Sequence, residues 1–249
     1  MSTQLGNGTG WAVITGASSG LGAIFADLLA KRGLSLLLAG RDEPRLSAVA
    51  QRVRQIAPDI GVELVAGDLG TDSGVDALAE LDAGREHDLV AVNVDALIRL
   101  THAVLPGMLA RGHGGILNVA SVIAFQPGPY QATYGASKAF VLSLSQALWA
   151  ETRGSGVTVT ALCPPPTRTG FVDALGSDVS HTAIYRNLAA PEPVVAAGLR
   201  AMDKGRAVVV PGWRNRAMAT FGQVTPGWLS SLISGRMLQP ASATVSGSR

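Results

Sequence analysis

The chain has 249 residues, 47% of them hydrophobic and 15% charged, with a net charge of +2. That length fits one α/β domain with a large core, and the near-neutral balance, without a Lys/Arg stripe, speaks against a nucleic-acid partner. A single cysteine, Cys163, excludes an intramolecular disulfide and points to a cytoplasmic setting; the polar start lacks a secretory leader pattern, and no apolar run is long enough for a transmembrane segment.

Taken in chain order, residues 1–10 read as a flexible N-terminus, and Trp11 to Thr15 as a first strand ending at glycines. Leu21 to Arg32 has helical apolar spacing, with Gly33 as its C-cap. Leu34 to Ala39 reads as a strand buried on both faces, Arg45 to Ile56 as a helix, and Val62 to Ala66 as a third strand. Ile116 to Ala120 is a later strand, Tyr134 to Arg153 a long helix, Val157 to Leu162 the next strand, Glu192 to Met202 a helix and Ala207 to Val210 a last short strand. Phe171 to Leu188 has no clear period and reads as a mobile lid. The tail, 213–249, holds an amphipathic helix near Trp228 to Met237 and a frayed end from Gln239. Alternating strands and helices predict a single doubly wound parallel-sheet domain over 11–212, with the tail packed on it.

The first strand is followed by Thr15-Gly16-Ala17-Ser18-Ser19-Gly20-Leu21-Gly22 and then a helix. In that context Gly16, Gly20 and Gly22 permit a tight turn and a close backbone approach to a pyrophosphate, with the helix N-terminus supplying N–H groups. The second strand ends Ala39-Gly40-Arg41. An arginine there can pair with a ribose 2′-phosphate, so NADP is favoured over NAD; the bland alternative is a solvated surface side chain. Asp68 after the third strand can hold an adenine edge or serve as an N-cap.

Lys138 stands one helical turn after Tyr134, and Ser121 closes a strand upstream. A free tyrosine has a pKa near ~10, too high for acid–base work at neutral pH, and a lysine cation beside it lowers that value. Ser121 at the carboxyl end of a strand is placed to hydrogen-bond a substrate oxygen. With these motifs the chain, from about Val13 to Pro211, resembles the short-chain dehydrogenase/reductase family. The resemblance implies an NADP- or NAD-binding Rossmann domain, a small-molecule carbonyl or secondary alcohol as substrate, Tyr134 as acid/base, Lys138 on the nicotinamide ribose, and a homodimer or homotetramer. It also implies cofactor contacts from Ser18, Ser19, Leu21, Asp68, Leu69, Asn93, Pro164, Thr167 and Thr169.

The chain departs from that pattern in two places. The Asn-Asn-Ala-Gly turn of the central fourth strand is absent, and the interval Asp68 to Asn93 is short. In one reading Arg85 to Val94 keeps the family's helix register, Asn93 completes a proton relay, and the fourth strand is missing. In the other, Asp72 to Leu81 is a helix, Asp88 to Asn93 is a shortened, re-threaded strand favoured by alternating valines, and Asp95 to Arg111 is a helix. The second departure is Pro164-Pro165-Pro166, where Pro165 fixes φ and removes a donor. Both leave open a catalytically silent protein of the same fold.

His87, His102, His113 and His181 show no ligand spacing, so no metal is expected. Cys163 reads as a packed small residue, Trp213, Phe221 and Trp228 as core or subunit-contact residues, and Gln126 to Tyr130 as a pocket-lining loop. Apolar residues on several sides of the helices starting at Asp95 and Tyr134 point to a two-fold four-helix interface, unless loops of the same subunit cover them.

Overall fold

The structure is a computed structural model that describes residues 10–66, 89–169 and 188–238. Asp68, Leu69, the Asp72–Leu81 helix, His87, His181, the lid bar its last residue, and the frayed end from Gln239 lie outside the described residues.

Strand β1 (Trp11–Thr15) leads through the glycine turn into α1 (Gly20–Ala30). The helix closes as expected: Leu34 N–H bonds back to Leu29 O, and Gly33 takes the left-handed φ of 77° that a side chain resists. Strand β2 (Ser35–Gly40) follows, then α2 (Glu43–Ile56), whose N-cap Asp42 accepts the Arg45 N–H at 3.0 Å, and β3 (Val62–Ala66). The chain next runs helically from Leu89 through a π turn (Ala91–Asp95) into α3 (Ala96–Arg111). Beyond it come β4 (Gly114–Val119), a 3₁₀ turn (Val122–Phe125), α4 (Ala132–Glu151), β5 (Val157–Leu162), α5 (Pro191–Asp203), β6 (Val208–Val209), α6 (Trp213–Val224) and α7 (Gly227–Leu238).

All strand pairs are parallel, and they fall into two three-stranded sheets, β1-β2-β3 and β4-β5-β6. Helix α5 ties them together. Gly198 packs on Leu117 and Leu162 of the second sheet, while Val194, Val195 and Leu199 share one core with Ile14, Leu36, Leu38 and the apolar faces of α1 and α2. Arg32 at the end of α1 makes a two-pronged ion pair with Asp203 at the end of α5, both distances 3.1 Å. On the other face of the second sheet, Ala161 and Cys163 pack with Val141 and Leu142 of α4, and Asn118 donates to Ser145 at 2.9 Å. Every residue of β5 is buried, as a strand covered on both faces must be.

The first sheet departs from expectation. Helices α1 and α2 cover one face, but Trp11, Val13 and Val65, aligned by register on the other, are 56%, 52% and 47% exposed. Among the described residues no strand pairs with the free edge of β1 or of β4. The re-threaded strand is overturned: from Leu89 onward its residues are helical. The alternating valines lose to tertiary contacts, because the Asn93 carboxamide is caught by two residues of α4 and the segment continues unbroken into α3.

Candidate active site

The glycine turn is built for close backbone approach. Gly16 and Gly20 have φ of 64° and 57°. A side chain on Gly22 would run into the Gly16 carbonyl, whereas one on Gly16 would meet nothing within 4 Å. Ser19 precedes α1 in extended conformation, and its side chain makes no cap bond to the helix. The Ala17 N–H donates to Ala39 O at 3.0 Å, which holds the turn against the end of β2, and Ser18 packs against Gly40 there. Open space over Gly16, left-handed glycines and the α1 N-terminus fit a pyrophosphate. Arg41 is exposed directly after β2.

The tyrosine helix carries the second group. Lys138 Nζ lies 5.8 Å from the centroid of the Tyr134 ring. It donates to Asn93 Oδ1 at 3.2 Å and to the Val119 carbonyl at 3.1 Å. Asn93 is oriented from its other end, where Nδ2 donates to Ser137 Oγ at 3.1 Å, and Ser137 donates to Tyr134 O at 2.8 Å. The π turn places Asn93 there. Such one-turn widenings redirect a side chain that an α-helix would aim elsewhere.

Val119 ends β4, two residues before Ser121. Ala120 N–H reaches Leu162 O of β5, so by alternation the Val119 carbonyl points to the edge of β4 with which no described strand pairs, where Lys138 satisfies it. Ser121 is half-buried, and its Oγ accepts the Ile123 N–H at 3.3 Å. Its own N–H serves the buried Cys163 sulfur. Burial pulls the Lys138 ammonium down from 10.5 to about 8, an effect opposed by the charge a Cys163 thiolate would carry. Burial pushes the Cys163 thiol up to about 12, partly offset by the Ser121 N–H and by Lys138. Burial is the larger influence on the lysine.

On the proline loop, Pro164 O accepts the Val122 N–H at 3.1 Å, locking the ends of β4 and β5. Thr167 donates to Pro165 O at 2.7 Å and Thr169 to Thr167 O at 3.4 Å. The Thr169 side chain also packs on Gly20, so this loop touches the glycine turn. The structure thus gathers Asn93, Tyr134 and Lys138, with Ser121 at the adjoining strand end, and sets Thr169 against the cofactor turn. Sequence reasoning missed Ser137 and the Val119 carbonyl, because each acts through a partner distant in the chain. Among the described residues no group of three or more His, Cys, Asp or Glu is placed to hold a metal, and no helix is long and apolar enough to cross a membrane.

Comparison with known proteins places this arrangement. The sequence model of the short chain dehydrogenase family matches residues 10–81 and 73–180. An uncharacterized oxidoreductase of Staphylococcus saprophyticus is 32% identical over 219 residues, covering 78% of this chain and 91% of its own. The human inactive hydroxysteroid dehydrogenase-like protein 1 is 27% identical over 248 residues, covering 88% of this chain and 73% of its own. A short-chain dehydrogenase from Sphingobium yanoikuyae, solved in complex with NADPH, superposes with a TM-score of 0.75 at 31% identity, covering 96% of this chain and 99% of that one. With a glycine turn and a Tyr-x-x-x-Lys helix set on parallel sheets, and with sequence matches across most of its length, the chain belongs to the short-chain dehydrogenase family.

Proposed function

We propose that the chain is an NADP-dependent oxidoreductase that interconverts a small-molecule carbonyl and a secondary alcohol. The observation that carries the reading is the Asn93–Lys138–Tyr134 array beside the Ser121 strand end. When bound, the dinucleotide supplies the hydride. Gly16 to Gly22 would cradle its pyrophosphate, Arg41 would pair with the 2′-phosphate, and Thr167 and Thr169 would offer hydroxyl partners near the nicotinamide amide. Tyr134 Oη gives a proton to the carbonyl oxygen in reduction and takes one from the hydroxyl in oxidation. The Lys138 ammonium stabilises the phenolate left behind, and Asn93 orients that ammonium. Ser121 already accepts the Ile123 N–H, so its hydroxyl proton is the group offered to the substrate oxygen. The buried thiol of Cys163 supports a reducing, cytoplasmic setting. The half-buried apolar flanks of α3 and α4 support self-association.

The test uses purified protein, NADPH and a ketone panel. NADPH is consumed, and Tyr134→Phe abolishes turnover while keeping cofactor binding; unchanged turnover in that variant defeats the assignment. Arg41→Asp weakens NADPH binding more than NADH binding, by about tenfold or more for a lost charge-assisted contact. Equal affinity of the wild type for the two cofactors contradicts the NADP preference.

One observation favours a second reading, a nucleotide-binding protein without turnover. Lys138 is held by the Val119 carbonyl on a strand edge with which no described strand pairs, and this carbonyl competes with any ribose for the ammonium. A relative named inactive points the same way. That reading predicts NADPH binding with no oxidation across the panel.

A further inference from the structure

Helices α6 and α7 are built inside out. Along α7, Ser230 and Ser234 face inward, 3% and 1% exposed, while Trp228 and Leu232 on the opposite side are 69% and 59% exposed. Leu229 and Ile233 flank that outward stripe, and Arg236 extends it one turn further. The inward serines are satisfied: Ser234 donates to Pro127 O at 2.9 Å and Ser230 to Gly227 O at 3.0 Å. Helix α6 repeats the arrangement. Its small residues Ala219 and Gly222 face inward, with Gly222 so close to Phe125 O that a methyl group would crowd it. Trp213, Phe221 and Val224 point out, each more than half exposed. Both helices seat their small sides on residues 125–129, so both apolar stripes turn away from that one loop, which joins Ser121 to Tyr134. Large exposed apolar patches mark an interaction surface.

The charge around the stripes says what covers them. Helix α6 carries Arg214 and Arg216, α7 carries Arg236, and neither helix carries an acidic residue. A second copy meeting this face with its own would bring arginines against arginines. Residues 239–249 offer one large apolar side chain, Val245, too little to cover two stripes. Tryptophan at the rim of an apolar stripe flanked by arginine matches the headgroup region of a bilayer carrying negative charge.

We propose that α6 and α7 dock the protein on an anionic lipid surface, lying flat with their outward apolar stripes in the headgroup layer. The docked face backs onto the loop between Ser121 and Tyr134, which brings the candidate site near the membrane.

Full-length protein is sedimented with vesicles of phosphatidylcholine alone and with about 30% phosphatidylglycerol, at near-physiological salt. It pellets with the anionic vesicles only, and Trp228→Ser with Leu232→Ser lowers the bound fraction at least about tenfold. Both side chains are exposed, so the double variant melts like the wild type. Brominated acyl chains quench wild-type tryptophan emission, a readout that does not depend on the variant folding. Absence of binding to anionic vesicles, equal binding by wild type and double variant, or absence of quenching overturns the proposal. So does a doubled wild-type mass that the variant reduces to the monomer, which would assign the face to a second copy.

Discussion

Replacing Lys138 by methionine removes a buried cation and leaves a side chain of similar length. In the folded protein burial lowers the lysine from 10.5 to about 8. Although the residue as a whole is half-buried, its ammonium is enclosed and bonded to Asn93 and Val119. Below pH 8 folded and unfolded states both hold the proton, and the folded state bears the full cost of the buried charge. Above pH 10.5 neither holds it and the cost is gone. Between these values the unfolded chain binds more protons, so stability rises with pH, by up to about 1.4 kcal/mol per unit. Integrated from pH 8 to pH 10, the gain is about 2 kcal/mol. Cys163 acts in the opposite direction above pH 9, since its thiol is raised to about 12, but wild type and Lys138→Met share the burial that causes this, so the difference between them removes the larger part of it. Urea unfolding of both proteins at intervals across this range measures that difference without any substrate or cofactor. Wild type gains about 2 kcal/mol on the variant between pH 8 and pH 10. Parallel curves would refute the reasoning, because the lysine would then titrate alike in both states.

Asn93→Ala deprives Lys138 of one of its two described acceptors, a charged hydrogen bond worth about 1.5–3 kcal/mol, so its pKa falls further below about 8. The alkaline limb of the NADPH-dependent pH–rate profile then moves toward neutrality, whereas Asn93→Asp moves it upward; identical profiles count against the relay. Gly22→Ala forces a methyl group into the Gly16 carbonyl, which costs about 1–3 kcal/mol and removes the NADPH-induced rise in Tm; a variant that keeps that rise speaks against this turn as the pyrophosphate site. Arg32→Ala breaks the two-pronged pair with Asp203 and lowers stability by about 1 kcal/mol, with NADPH affinity unchanged. A double-mutant cycle with Asp203→Ala recovers that coupling, and strict additivity would show that the pair contributes nothing.

Much of this protein was legible in the chain itself, because the signals were local. A strand running into Gly16-Ala17-Ser18-Ser19-Gly20 and then a helix needs only backbone sterics to be read, and the left-handed glycines follow from the turn. The spacing from Tyr134 to Lys138 puts both on one helix face by geometry alone. Local pattern failed where partners were distant in sequence. Val90, Val92 and Val94 alternate like a strand, yet they are helical because Asn93 bonds residues more than 40 positions away. The Val119 carbonyl became part of the site only because no described strand pairs with its edge of β4. Helix α6 was not anticipated, and the aromatic residues of the tail, expected in the core or in a subunit contact, lie outside the core of the single chain because serine, alanine and glycine approach residues 125–129 more closely than large side chains can. Periodicity tells which residues share a face of a helix; which face turns inward is decided by the shape of the surface it meets.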